Sequence, residues 1–303
     1  MKNQIKTIAL FAAFAAGFCF PQASALSGLT RYLIALMMFF SLLNVRSVRR
    51  PLRREHWLIF ICNLLLGILP WAVFRFAGMP ITAEAAFFTG ITPTATAASA
   101  VTIMLGGRAE FVLSSFLLTN LGMAALLPWL IPLAVGAETS GLFLHVIGSL
   151  LFVMGIPFAG VTLFRKFVKN QEPFIRASVK CAFYIWVAAI FLIIAKAADF
   201  LYSGSRSARE VCLIAAVSLV LCLLGFITGR IIGGKRLFLE SSQSLGQKNT
   251  TLTIYLALTY ASPAAALGPA FYVIWHNSWN AYQLWKRTGH LNRIRERRLN
   301  KNV

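Results

Sequence analysis

Apolar runs of about twenty residues alternate with short, basic polar stretches along the whole chain, and this spacing predicts about ten membrane-spanning helices. The expected spans run from Met1 to Phe20, Leu26 to Val45, Trp57 to Phe74, Pro80 to Gly107 and Glu110 to Pro132 in the first half. In the second half they run from Leu142 to Phe164, Phe174 to Tyr202, Val211 to Ile232, Leu237 to Ala266 and Pro269 to Trp285. Basic residues cluster between them: Arg46, Arg49, Arg50, Arg53 and Arg54; then Arg165, Lys166, Lys169 and Arg176; then Lys235 and Arg236. A basic tail over 286–303 carries Lys286, Arg287, Arg293, Arg295, Arg297, Arg298 and Lys301. Ten spans place every large cluster on one side and leave Arg75, Arg206 and Arg209 on the other. That asymmetry predicts a multi-pass inner-membrane protein with both termini in the cytoplasm.

Two of these segments are wrong in the middle for plain spanning helices. In the fourth, Pro93 sits among Thr92, Thr94 and Thr96 and is followed by small residues through Ser99 and Ala100, so the backbone ladder breaks at membrane depth. In the ninth, the polar stretch from Ser241 to Thr251 interrupts the apolar pattern. Fourth and ninth are equivalent places in two sets of five, and two five-helix repeats in one chain have opposite orientation. The expected fold is therefore all-α, with two inverted five-helix repeats over 1–136 and 137–285, and the two broken helices crossing at a shared site. The first 25 residues also read as a secretory signal, with Lys2, Lys6, an apolar run and Ala23-Ser24-Ala25 at a cleavage position. The five-plus-five symmetry favours a retained first helix.

Composition agrees with the membrane reading: 58% of the 303 residues are hydrophobic and 13% charged, and the mean hydropathy is +0.72. The net charge of +20 is confined to loops and tail, which belongs to topology and not to nucleic-acid binding. Five cysteines (Cys19, Cys62, Cys181, Cys212, Cys222) stand singly, and the four histidines are dispersed, so neither a disulfide framework nor a metal site is expected. No GxSxG, HExxH or Walker loop is present, and the expectation is a protein that is not an enzyme and takes no cofactor.

Several short stretches in register resemble the bile acid:sodium symporter family over nearly the whole chain. Pro93 to Ser99 corresponds to that family's proline, glycine-rich and Ser-Asn turn, Gly107 to its Lys/Arg-Gly-Asp step, and Pro128 to its following proline. Ser244-Leu245-Gly246-Gln247-Lys248-Asn249 looks like its Glu-x-Gly-x-Gln-Asn signature, and Gly268-Pro269 and His276-Asn277 fall on familiar tenth-helix positions. The resemblance implies a core and a panel domain of ten helices in all, with organic anions as cargo and sodium as coupling ion. The residues at its sodium positions depart from the pattern: Ala98-Ser99 for Ser-Asn, Val112 and Phe116 for hydroxyls, Ser244 for the glutamate, Lys248 for the glutamine and Leu65 for a third-helix glutamine. Glu240, one helical turn before Ser244, is the one carboxylate that a shifted register brings near.

The substrate-binding candidates are Thr94, Thr96, Ser99, Thr119 and Asn120 from one half and Ser244, Lys248, Asn249 and Thr250 from the other. Lys248 stands out, because a lysine within a spanning segment costs about 2.5–3.5 kcal/mol on insertion scales. Four uses stay open: a tethered cation, a ligand for an anionic solute, a proton carrier, or a side chain snorkelling to the interface. The functional expectation is a secondary transporter moving a small, anionic organic solute by alternating access without sodium. Its partners are that solute and the membrane lipid. The alternative is a solute-binding membrane sensor of the same fold.

Overall fold

The computed structural model describes residues 2–43, 52–95, 97–136, 140–202 and 208–299. Thr96 and the basic loop at 44–51 lie outside the described residues. The described residues are helical apart from short linkers: α1 (Lys2–Cys19), α2 (Thr30–Leu43), α3 (Arg54–Phe76), α4 (Pro80–Gly90), α5 (Ala97–Met104) and α6 (Ala109–Val135). It continues with α7 (Ser140–Leu150), α8 (Ile156–Phe167), α9 (Glu172–Tyr202), α10 (Ala208–Gly246), α11 (Thr250–Tyr260) and α12 (Pro263–Leu299). Among these residues six helices are long and apolar enough to cross a membrane, such as Arg54–Phe76 and Ala109–Val135. The protein is a membrane-embedded helical bundle.

The element boundaries follow local chemistry. The first apolar run ends at Cys19, and a 3₁₀ segment, Pro21–Leu29, leads into α2. The expected sixth span is two helices joined by one π-helical turn, Leu151–Gly155. Pro157 follows directly and has no N–H to return to the preceding turn, which accounts for the widened ladder there. The expected eighth span ends where the sequence puts it. α10 is two helical arms, and the chain doubles back between them at Gly234 (φ 53°, ψ −146°), a backbone conformation open to glycine and costly for other residues, with Leu237 also off the helix. The arms on either side of this bend touch: Ser242 Oγ donates to the Phe226 carbonyl at 2.8 Å.

The main apolar core gathers residues from across the sequence, including Phe87 and Phe88 on α4, Met123 and Leu127 on α6, Ile190 and Ile193 on α9, and Leu252 and Leu256 on α11. Its effect is to pack α4 and α11, each too short to cross a membrane alone, among longer neighbours. α1 and α2 both lie against α9, while α3 packs on α4 so closely that a Cβ at Gly90 would overlap the Leu66 carbonyl. This contact holds the end of α4 at a fixed depth beside α3, which positions the site.

Candidate functional site

Both interrupted segments break as their sequences imply. α4 ends at Gly90 and resumes as α5 at Ala97; α10 ends at Gly246 and resumes as α11 at Thr250. The extended linkers cross as a single antiparallel pairing of Thr94 with Lys248. Ala95 N–H donates to the Gln247 carbonyl at 2.9 Å, and Asn249 N–H donates to the Pro93 carbonyl at 2.8 Å. The exchange is reciprocal, so each linker satisfies part of the backbone that the other has freed, where lipid offers no partner.

The remaining freed carbonyls are met one by one. Lys248 Nζ donates to Asn63 Oδ1 at 2.5 Å, to the Gly90 carbonyl at 2.7 Å and to the Thr92 carbonyl at 3.1 Å. An ammonium has three protons, and these contacts use all of them. Asn63 completes the arrangement by donating Nδ2 to the Ile91 carbonyl at 3.1 Å. The C-terminal end of α4 carries partial negative charge, and a cation is the complement it calls for. Lys248 is 2% exposed, so it neither snorkels to an interface nor offers a free N–H. Of the uses left open by the sequence, snorkelling and direct solute binding do not fit this geometry, while a tethered cation and a proton carrier both do.

Across the crossing the groups are neutral. Thr94 Oγ1 donates to the Ser244 carbonyl at 2.6 Å, and Tyr272 Oη donates to the Gly246 carbonyl at 2.7 Å. Thr119 Oγ1 accepts from Thr94 N–H at 3.1 Å, and Asn120 Nδ2 donates to the Thr94 carbonyl at 2.9 Å. Thr92 and Thr253 join hydroxyls at 2.7 Å.

Of the expected site residues, Thr94, Thr119, Asn120, Ser244, Lys248 and Asn249 therefore meet at the crossing. Thr250 is buried at the start of α11, where its carbonyl accepts from Thr253 Oγ1 at 3.2 Å. Ser99 is half-buried on α5, and Thr96 lies outside the described residues. Ser244 Oγ donates within its own helix to the Glu240 carbonyl at 2.8 Å.

The family resemblance puts the third-helix contribution at Leu65, which is 43% exposed. The residue that reaches the crossing is Asn63, two positions earlier. Its signal was present as the one amide in an otherwise apolar run from Trp57 to Leu69. Val112 and Phe116 are buried apolar residues. Glu240 does not bring a carboxylate to the crossing: Oε1 accepts from Arg108 N–H at 3.0 Å and lies 3.5 Å from Arg108 Nε. It sits at the positive N-terminal end of α6, a favourable place for an anion. Arg287 of α12 donates to the Leu105 carbonyl in the same turn.

Beside the crossing lies an apolar cavity of about 240 Å³ between α6 and the α2, α7 and α8 side, next to the π-helical turn. Its wall includes Leu42, Leu121, Leu150, Met154 and Phe158, with Asn120 as the one polar residue among those described. Among the described residues no charged side chain lines it. Among the described residues no group of three His, Cys, Asp or Glu side chains is placed to hold a metal ion.

The chain matches no model of a known protein family, and no curated protein matches it.

Proposed function

We propose that the protein is a divergent relative of the bile acid:sodium symporters that moves a small organic solute across the inner membrane by alternating access, without sodium. The observation that carries this reading is the reciprocal crossing of the two broken helices, with the Lys248 ammonium seated on the carbonyls freed by the first break. Two linkers that pair antiparallel, each feeding its own half-helix, are what two inverted five-helix repeats would produce at their shared centre. On this reading the unit carrying the crossing moves against the helices on the far wall of the apolar cavity, α2, α7 and α8. The solute enters between them.

Sodium independence follows from electrostatics. A sodium ion brought to the crossing would meet a resident ammonium on the same oxygens. At about 4 Å and an effective dielectric of about 20, two like charges repel by on the order of 4 kcal/mol. A Val112, Phe116 or Leu65 side chain offers no oxygen in compensation.

Counterflow in proteoliposomes tests the reading, using a labelled solute selected by ligand-induced thermal stabilisation of the purified chain. The expected result is exchange of label at equal rates in sodium chloride and choline chloride. Binding without exchange would identify a sensor of the same fold, and exchange that requires sodium would remove the proposed role of Lys248.

A further inference from the structure

We propose that the solute is a neutral molecule with an apolar body and a hydrogen-bond donor, such as a hydroxyl, and that Asn120 Oδ1 is its acceptor. This rests on the transport reading for the site's purpose and narrows it from the anion expected from the sequence.

The amide of Asn120 has only one orientation that its surroundings accept. Its Nδ2 donates to the Thr94 carbonyl and to the Phe116 carbonyl, both at 2.9 Å. Both partners are acceptors, so the nitrogen must face them, and both of its protons are in use. Turning the amide over would set an oxygen against two carbonyl oxygens. Oδ1 is thereby left buried and without a hydrogen-bond partner among the described residues. Asn120 as a whole is 3% exposed, and among the described residues it is the single polar one in the cavity wall.

A buried acceptor without a donor is costly, and a solute donor placed against it offsets that cost. A carboxylate does the reverse: it brings a second acceptor to the same atom and leaves its charge in an apolar wall. The nearest ammonium gives no help, because Lys248 has its protons on Asn63, Gly90 and Thr92. The volume, about 240 Å³, falls below the roughly 300–1,000 Å³ of pockets that take drug-sized ligands, so the solute is small. Because Asn120 also holds the Thr94 carbonyl, a solute on Oδ1 contacts the residue that steadies the crossing.

Three six-membered-ring probes separate the chemistries: cyclohexanol donates, cyclohexanone only accepts, and cyclohexanecarboxylate is anionic. Their affinities for the full chain in lipid nanodiscs can be measured by saturation-transfer NMR titration. The proposal expects cyclohexanol to bind about tenfold or more tightly than the ketone, and the carboxylate to bind weakest. Asn120→Leu should abolish the preference for alcohol over ketone. Ala124→Trp, which fills the cavity and leaves Asn120 in place, should abolish the alcohol signal and so separates site binding from partition into lipid. A carboxylate that binds as well as the alcohol would overturn the proposal. So would an alcohol signal unchanged by Ala124→Trp, or an alcohol preference that survives Asn120→Leu in a folded protein. These affinities are equilibrium quantities, so alcohol selectivity with no exchange in counterflow would count against transport alone.

Discussion

The two breaks solve the same problem with different chemistry. At the first, after Gly90, the freed carbonyls of Gly90 and Thr92 are held by an ammonium; at the second, before and at Gly246, the carbonyls of Ser244 and Gly246 are held by hydroxyls. The capping groups are exchanged between the halves. Lys248 belongs to the second linker and caps the first helix end, while Thr94 belongs to the first linker and caps the second. These two residues are also the pair joined in the antiparallel bridge. Each helix end thus depends on the other linker being in place, so the crossing is stable as a unit. The charge sits on one side only, which makes the first break the one whose stability depends on a cation.

Removing that cation should have the largest effect. Lys248→Met keeps a long side chain but leaves three buried acceptors without a donor, each worth about 1–3 kcal/mol. The expected outcome is a loss on the order of 3 kcal/mol or more, seen as a large fall in melting temperature and loss of flux. Gly90→Ala should follow, at about 1–3 kcal/mol, because the added methyl group meets the Leu66 backbone and pushes the end of α4 away from α3.

At the second break, Thr94→Val removes one neutral hydroxyl from the Ser244 carbonyl and should cost about 1–2 kcal/mol by the same thermal measurement. If Thr94→Val proved as damaging as Lys248→Met, the contrast between a charged and a neutral crossing would have no energetic content. The smallest effect is expected away from the crossing. Glu240→Gln keeps a hydrogen bond to the N-terminus of α6 and loses the charge there, worth about 0.3–1 kcal/mol, and should leave flux unchanged.

How far this was legible in the sequence can be judged residue by residue. Pro93 among threonines and the polar run at 241–251 break helices by rules of local chemistry, so both interruptions and most of the residues at the crossing could be placed in advance. The use of Lys248 could not be decided there, because an intramembrane lysine looks the same on the page whether its protons go to solute or to carbonyls three elements away. Asn63 was overlooked because its importance depends on α3 and α4 packing through Gly67 and Gly90, a contact that no local pattern announces. Glu240 was read by register along its own helix, whereas its partner, Arg108, comes from another part of the chain. The bend at Gly234 was legible, because Gly233-Gly234-Lys235-Arg236 interrupts the apolar pattern between two spans. The π turn before Pro157 was hidden for a simpler reason: it leaves the hydrophobic pattern on both sides intact.

The central claim, that the crossing carries its own cation, is tested most directly by sodium itself. The full chain in lipid nanodiscs can be melted across a titration of sodium chloride, with choline chloride at matched ionic strength as the reference. A resident ammonium on the Gly90, Thr92 and Asn63 oxygens predicts coincident melting temperatures in the two salts at every concentration. A saturable stabilisation specific to sodium would contradict it.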